Sequence, residues 1–157
     1  MSCKTAIYPG TFDPITLGHL SVIKRARKIF DKVIVGVADS GSKKPMFDID
    51  TRVLMAQKSL ESIKNVEVHP FYSLLVNFCQ EMKVDTIIRG LRAVSDFEYE
   101  LQMGYANASI DKNIDTIYLM PSLEHAFISS TVVRDIVRHG GDASHLVPRE
   151  ILSFLDN

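Results

Sequence analysis

The sequence predicts an α/β fold: a doubly wound, five-stranded parallel sheet with helices on both faces, formed by residues 1–157 as a single domain. Three observations carry this. Short, nearly unbroken apolar runs alternate with longer runs whose apolar residues recur at helical spacing. Gly- and Pro-rich breaks fall where the runs end. A chain of 157 residues with 46% hydrophobic content can build one well-cored domain and is too short for two ordinary ones.

The elements follow in order. Thr5-Ala6-Ile7-Tyr8 is short and apolar and stops at Pro9-Gly10, as a buried strand does. Leu20, Ile23, Ala26, Ile29 and Phe30 then repeat at helical spacing, so a helix begins near Gly18. Residues 32–38 are almost continuously apolar, which a strand covered on both faces requires. Residues 39–45 break all periodicity and form a polar loop. A helix over 48–63 turns Val53, Ala56, Leu60 and Ile63 inward, and a strand follows at 66–68. The third helix, 74–82, gathers Leu74, Leu75, Phe78, Cys79 and Met82 on one face.

Residues 85–88 make a fourth strand that runs into Arg89-Gly90-Leu91-Arg92. Ser95-Asp96-Phe97-Glu98 has the form of a capping box, opening a long helix to about Lys112 with Phe97, Leu101, Tyr105 and Ala108 as its apolar stripe. The fifth strand, 115–120, closes at Pro121. Ile128-Ser129-Ser130-Thr131 starts a helix with Val133, Ile136 and Val137 inward, ended by His139-Gly140-Gly141. Pro148 opens a short terminal helix with Ile151, Leu152 and Leu155 apolar. Alternating strands and helices imply right-handed crossovers, and ligands then bind outside the carboxyl ends of the strands.

Composition narrows the function. Eighteen Lys and Arg against 19 Asp and Glu leave a net charge of −1, so no global field draws the chain to nucleic acid or membrane. Any anion site must be built locally. Cys3 and Cys79 match no metal or redox spacing and suit a reducing compartment; Cys79 falls on an apolar helical face as a core thiol. With no signal-type apolar segment and no apolar run near the ~20 residues of a membrane helix, a cytoplasmic protein is expected.

The connector from Tyr8 to His19 delivers a strand's carboxyl end to a helix's amino end, where free amides and the helix dipole collect an anion. Thr11 and Thr16 offer hydroxyls, Gly10 and Gly18 allow close backbone approach to a ligand, and His19 sits in the first helical turn with a ring N–H directed outward. Taken alone, Thr16 reads equally as an N-cap and His19 as a surface histidine.

Three further stretches fall at strand carboxyl ends: Lys43-Lys44, residues 89–92 and residues 125–131. Arg89 and Arg92 supply forked donors that match phosphate oxygens, and the lysines supply point charges on a movable segment. Ser129, Ser130 and Thr131 can cap a helix or cradle an anion. Asp96, Glu98 and Glu100 suit a first helical turn through the dipole alone. No acid/base carboxylate pair, Ser/His/Asp set or H-x-x-E motif stands out. Abundant donors and cations without a base point to positioning and neutralising phosphates, which phosphoryl and nucleotidyl transfer require.

Gly10-Thr11-Phe12-Asp13-Pro14 followed by Thr16-Leu17-Gly18-His19 resembles the signature of the nucleotidyltransferases distantly similar to class I aminoacyl-tRNA synthetases. Within them the chain is most similar to the phosphopantetheine adenylyltransferase family, through residues 42–47, 88–94, 96–100 and 127–131 in their usual order. The resemblance implies a Rossmann-like domain that transfers AMP from ATP to 4'-phosphopantetheine, giving dephospho-coenzyme A and pyrophosphate by in-line attack of the acceptor phosphate on the ATP α-phosphate. It further implies Mg²⁺ with ATP, for which no protein ligand set is visible in the sequence, a homohexamer, and feedback inhibition by coenzyme A.

Carried over by position, His19, Lys43 and Arg92 are the catalytic residues. Thr11, Phe12 and His19 would meet the ATP phosphates. Lys43 and Arg89, with Thr11, would bind the phosphopantetheine phosphate, and Leu75 would lie near the pantetheine arm. Gly90, Leu91, Arg92 and Glu100 would line the ATP site. The loop of His125, Ala126, Phe127 and Ile128, continuing into Ser129, Ser130 and Thr131, would close over it. Thr16, where other members carry the first histidine of H-x-G-H, leaves His19 as the single catalytic imidazole. Two rivals stay open: a nucleotidyltransferase for another phosphorylated acceptor, and an ATP-sensing module without turnover.

Overall fold

Strand β1 (Thr5–Gly10) lies at the centre of the sheet because both of its faces are apolar and both are covered. In this computed structural model, which describes residues 3–39, 41 and 44–156, it is followed by α1 (Leu17–Ala26), β2 (Lys32–Ala38), α2 (Ile49–Leu60) and β3 (Val66–Phe71). Then come α3 (Leu75–Met82), β4 (Thr86–Gly90), α4 (Val94–Ile110), β5 (Asp115–Leu119) and α5 (Ser130–Arg138), with 3₁₀ turns at Leu123–His125, Ser144–Leu146 and Arg149–Phe154. The five strands pair in parallel in the order β3-β2-β1-β4-β5. Lys43 lies outside the described residues.

Side-chain alternation along the strands gives the sheet two apolar faces. Ala6, Tyr8, Val33, Val35 and Ile88 pack with Leu20 and Ile23 of α1, Met55 and Ala56 of α2, and Val133 of α5. Ile7, Ile34 and Ile87 face the other way, onto Val76, Phe78 and Cys79 of α3. Gly36 makes that second contact close: a Cβ there would sit 2.8 Å from the Phe78 ring, which is stacked on Phe71 at 4.6 Å. Gly36→Ala must displace the stack and is expected to destabilise by about 1–3 kcal/mol, read as a lower urea midpoint at unchanged slope. An unchanged midpoint would mean that the rings yield freely.

Several elements depart from the sequence expectation. β3 runs three residues beyond Val68, through Pro70, which is tolerated because β3 is an edge strand. α2 stops at Leu60, short of residue 63, and Asn65 turns the chain with φ 59°. Its most buried stripe includes Arg52, 1% exposed, beside Met55, Ala56, Ser59 and Leu60. α4 starts at Val94 on Ala93, whose carbonyl accepts the Asp96 N–H, so Ser95 lies inside the helix and the N-cap position expected of it falls to Ala93. No residue between Asp96 and Ile110 is buried. α5 begins one residue later than Ser129, its N-cap, and ends as expected: Gly140 takes φ 72° and the Gly141 N–H reaches the Ile136 carbonyl.

Candidate active site

The order β3-β2-β1-β4-β5 reverses direction between β1 and β4, and the crevice at the carboxyl ends of such a pair is where this sheet type binds ligands. A cleft of about 320 Å³ opens there. Its walls combine the β1–α1 connector, Arg89 and Gly90 at the end of β4, Arg92, Glu100 of α4, and Ile128, Ser129, Ser130 and Thr131 at the start of α5.

The two readings of Thr16 and His19 prove to be one arrangement. Thr16 caps α1, its hydroxyl accepting the His19 N–H at 3.4 Å, while its own N–H donates to His19 Nδ1 at 2.9 Å. That is a capping box with histidine where glutamate is usual. Because Nδ1 accepts a backbone proton, the ring's own proton sits on Nε2 as a hydrogen-bond donor. Phe12 meets the imidazole edge-on at 4.8 Å and, at 2% exposure, offers a ligand almost no side chain. Its φ of 49° is a left-handed conformation that a bulky residue adopts only when its surroundings impose it.

Gly10 and Gly18 line the cleft and also make room for protein neighbours. A Cβ on Gly10 would lie 3.1 Å from the Phe12 ring, and one on Gly18 would lie 3.1 Å from the Ile128 carbonyl oxygen.

Arg89 donates twice to Glu100, from Nε and Nη2 at 2.7 Å each, and once to the Pro9 carbonyl at 3.0 Å. The pair fixes the guanidinium at the floor of the cleft. Arg92 spans the cleft, with Nη1 on the Ile128 carbonyl and Nε 3.6 Å from Asp96. Ser130 ties α5 to the connector through the Pro14 carbonyl at 2.8 Å.

The family model described as cytidylyltransferase-like matches residues 7–136. Phosphopantetheine adenylyltransferase of Campylobacter curvus (strain 525.92) is 62% identical over 152 residues, 97% of each chain. The chain belongs to the phosphopantetheine adenylyltransferase family. The relative of that name from Nautilia profundicola is 62% identical over 150 residues, 96% of this chain and 97% of its own. A solved putative nicotinate-nucleotide adenylyltransferase from Vibrio parahaemolyticus shares the fold with a TM-score of 0.72 at 22% identity, covering 98% of this chain and 91% of that one.

The residues expected from the family resemblance divide into those that meet and those that do not. Thr11, Phe12, His19, Arg89, Gly90, Arg92, Glu100, Ile128, Ser129, Ser130 and Thr131 share the cleft. Leu75 lies in an adjoining pocket of about 260 Å³ between α3 and α4, with Arg89 and Glu100 as the common wall. Leu91 is drawn aside by the bond from its N–H to the Leu119 carbonyl. His125, Ala126 and Phe127 stand off the cleft: His125 Nδ1 bonds the Ser122 hydroxyl at 2.9 Å, and Phe127 is 65% exposed. Lys44 is exposed and does not line the cleft.

Sequence reasoning passed over three residues that hold the connector. The buried Asp13 carboxylate accepts the N–H groups of Met46 and Phe47 at 2.8 and 3.0 Å, tying the 44–47 segment to the connector. Arg52 donates to the carbonyls of Thr11, Ala38 and Phe47. Arg134 donates to the Asp13 carbonyl at 2.8 Å and to Thr131. Its place one turn after Ser130 and Thr131 was the available signal.

Among the described residues no group of three His, Cys, Asp or Glu is placed to hold a metal. The cleft carboxylates are engaged by protein donors: Asp13 by amides, Asp96 by Arg92 and Glu100 by Arg89. They do not form a ligand set for a resident Mg²⁺.

Burial first, then the Arg92 and Arg89 charges, push the His19 pKa down to about 3. The folded protein therefore keeps this imidazole neutral where the unfolded chain, near 6.5, takes a proton. A depressed pKa gives stability that is complete above about pH 6.5 and is lost as the pH falls from there toward 3. Urea midpoints should drop between about pH 7 and about pH 4.5, and drop less in His19→Gln. Equal decreases in both proteins would contradict a neutral imidazole at position 19.

Proposed function

We propose that the chain transfers AMP from ATP to 4'-phosphopantetheine, releasing pyrophosphate and forming dephospho-coenzyme A. The observation that supports this most is the convergence of the His19 Nε2–H, the Glu100-held Arg89 and Arg92 on one cleft, with no protein base beside them, in a chain 62% identical to relatives of that name.

An oxygen of the acceptor phosphate attacks the α-phosphorus in line. The bond from that phosphorus to the oxygen bridging the β-phosphate breaks, and pyrophosphate leaves. The attacking phosphate is largely ionised near neutral pH, so no side chain must remove a proton. His19 Nε2–H donates to a non-bridging α-phosphate oxygen, where charge grows in the transition state. Arg92 neutralises the triphosphate from across the cleft, and Thr11 contacts the phosphates of both substrates. Arg89 binds the acceptor phosphate, and Leu75 lines the path of the pantetheine arm next to it. Lys43 is assigned to the same phosphate on the resemblance alone. Gly90 and Glu100 border the nucleotide, with Ile128, Ser129, Ser130 and Thr131 beside them; Leu91, His125, Ala126 and Phe127, which lie off the cleft, are assigned to the nucleotide on the resemblance alone.

Mg²⁺ enters with the triphosphate as part of the substrate. The chain acts as one domain over residues 1–157, in the cytoplasm, and assembles as a homohexamer. The exposed apolar side chains of α4, with Tyr99 at 62% and Tyr105 at 71%, support assembly through that helix. Coenzyme A, which carries the product's own adenylate and pantetheine groups, acts as feedback inhibitor at the same cleft. No helix among the described residues is long and apolar enough to cross a membrane.

The test is acceptor-dependent pyrophosphate release from MgATP with a panel of phosphorylated acceptors. Release with 4'-phosphopantetheine is the expected result. Release only with nicotinamide mononucleotide or a choline-type phosphate would overturn the choice of acceptor. ATP binding without any acceptor-dependent release would favour a sensor.

A further inference from the structure

We propose that the Tyr8 hydroxyl is a direct donor to a phosphate oxygen of the bound substrates, a binding residue alongside His19 and Arg92. The inference rests on the reading above only in requiring that phosphates enter this cleft.

Tyr8 belongs to β1, on the face covered by α1, and its ring is part of the core at 5% exposure. The ring stands edge-on to Phe12 at 5.5 Å and tilted to His19 at 6.4 Å, so the side chains that hold the imidazole also fix the phenol. Phenylalanine would pack equally well in such a nest. The oxygen therefore calls for a separate explanation.

That oxygen borders the cleft next to Gly90. A Cβ on Gly90 would lie 3.6 Å from the Tyr8 hydroxyl and 3.3 Å from Val22, so a side chain at that position would crowd the space in front of the phenol. The ring is buried but the hydroxyl oxygen is not: it is absent from the fully buried polar atoms that lack a partner, and it opens onto the cleft. Among the described residues no protein group bonds it, because the polar groups around it direct their bonds elsewhere. His19 Nδ1 is taken by Thr16, Arg89 by Glu100 and Pro9, and Arg92 by Ile128.

The same surroundings select the ligand atom. Burial raises the Tyr8 pKa far above its ordinary value and outweighs the opposing pull of Arg89 and Arg92, so the group stays O–H at neutral pH. Its neighbours facing the cleft are also donors, and the Glu100 oxygens are occupied by Arg89. A phenol O–H beside the His19 Nε2–H, Arg89 and Arg92 makes a cluster of donors that fits an anionic oxygen.

Tyr8→Phe removes this one atom and keeps the ring. Three measurements on wild type and variant decide the matter: the melting temperature without ligand, the calorimetric affinity for inorganic pyrophosphate, and the rate of dephospho-coenzyme A formation. The expected result is a melting temperature within about 2 °C of wild type or higher, with pyrophosphate affinity and turnover each roughly 10-fold lower or more. Unchanged pyrophosphate affinity would overturn the proposal, as would a wild type that binds no pyrophosphate. A melting temperature several degrees lower at unchanged affinity would mark the hydroxyl as structural. Weakened pyrophosphate binding in a protein that makes no dephospho-coenzyme A would sink the proposed function and leave Tyr8 as a phosphate donor. Normal product formation by a variant with unchanged affinity would do the reverse.

Discussion

His19→Ala is expected to lower kcat on the order of 10²-fold or more while KM for ATP changes little, because the donor lost acts chiefly on charge that grows at the α-phosphate. Steady-state pyrophosphate release measures both constants. The substitution also strands the Thr16 N–H, a cap defect of about 1 kcal/mol that the fold should survive. His19→Gln separates the two roles. Glutamine at this third helical position can accept the Thr16 N–H as in an ordinary capping box, yet it presents no ring N–H to the cleft. It should recover the stability of wild type and stay slow. Wild-type turnover in either variant would refute the transition-state role of the imidazole.

Arg89→Ala carries the second large effect, expected on the acceptor side. KM for 4'-phosphopantetheine should rise on the order of 10²-fold, with a smaller change for ATP, because the guanidinium proposed to bind the acceptor phosphate is removed. Stability should fall too, by about 1–3 kcal/mol, since the Glu100 carboxylate is only 12% exposed and loses two bonds of 2.7 Å. Arg89→Ala with Glu100→Gln removes the stranded charge and should regain most of the stability without regaining acceptor affinity. Arg89→Lys should bind the acceptor poorly as well, because an ammonium cannot bridge both Glu100 oxygens and still reach the cleft. Unchanged acceptor kinetics in Arg89→Ala would show that the assignment is wrong.

The convergence of remote segments on one rim was legible in the sequence because it follows from topology alone: parallel strands joined by right-handed crossovers put all their carboxyl ends on one side. β1 and β2 were equally plain, since strands buried on both faces carry unbroken apolar runs. α4 was legible in its extent, Val94–Ile110 against a helix read to about Lys112, and misread at its start. Its start is set by the Ala93 carbonyl, a backbone event that leaves no trace in side-chain pattern, and its apolar stripe showed a hydrophobic face without showing what covers it. Arg52 was invisible for a related reason: periodicity assigns charge to the outside, while three carbonyls from separate segments make an interior place for it. The Arg89–Glu100 pair joins β4 to α4 across 11 positions, too far for any local rule. At Thr16 and His19 the sequence supported capping and catalysis as competitors, and the structure shows the cap, which fixes the His19 tautomer with its proton on Nε2.

The account depends on phosphates lying between the imidazole that opens α1 and the guanidiniums that follow β4. A crystal structure with MgATP or 4'-phosphopantetheine bound tests this most directly. The expected result is an α-phosphate oxygen within hydrogen-bonding distance of His19 Nε2 in the first complex, and the acceptor phosphate against Arg89 with its arm passing Leu75 in the second. Phosphates bound away from that cleft, with His19 and Arg89 touching neither substrate, would contradict the account.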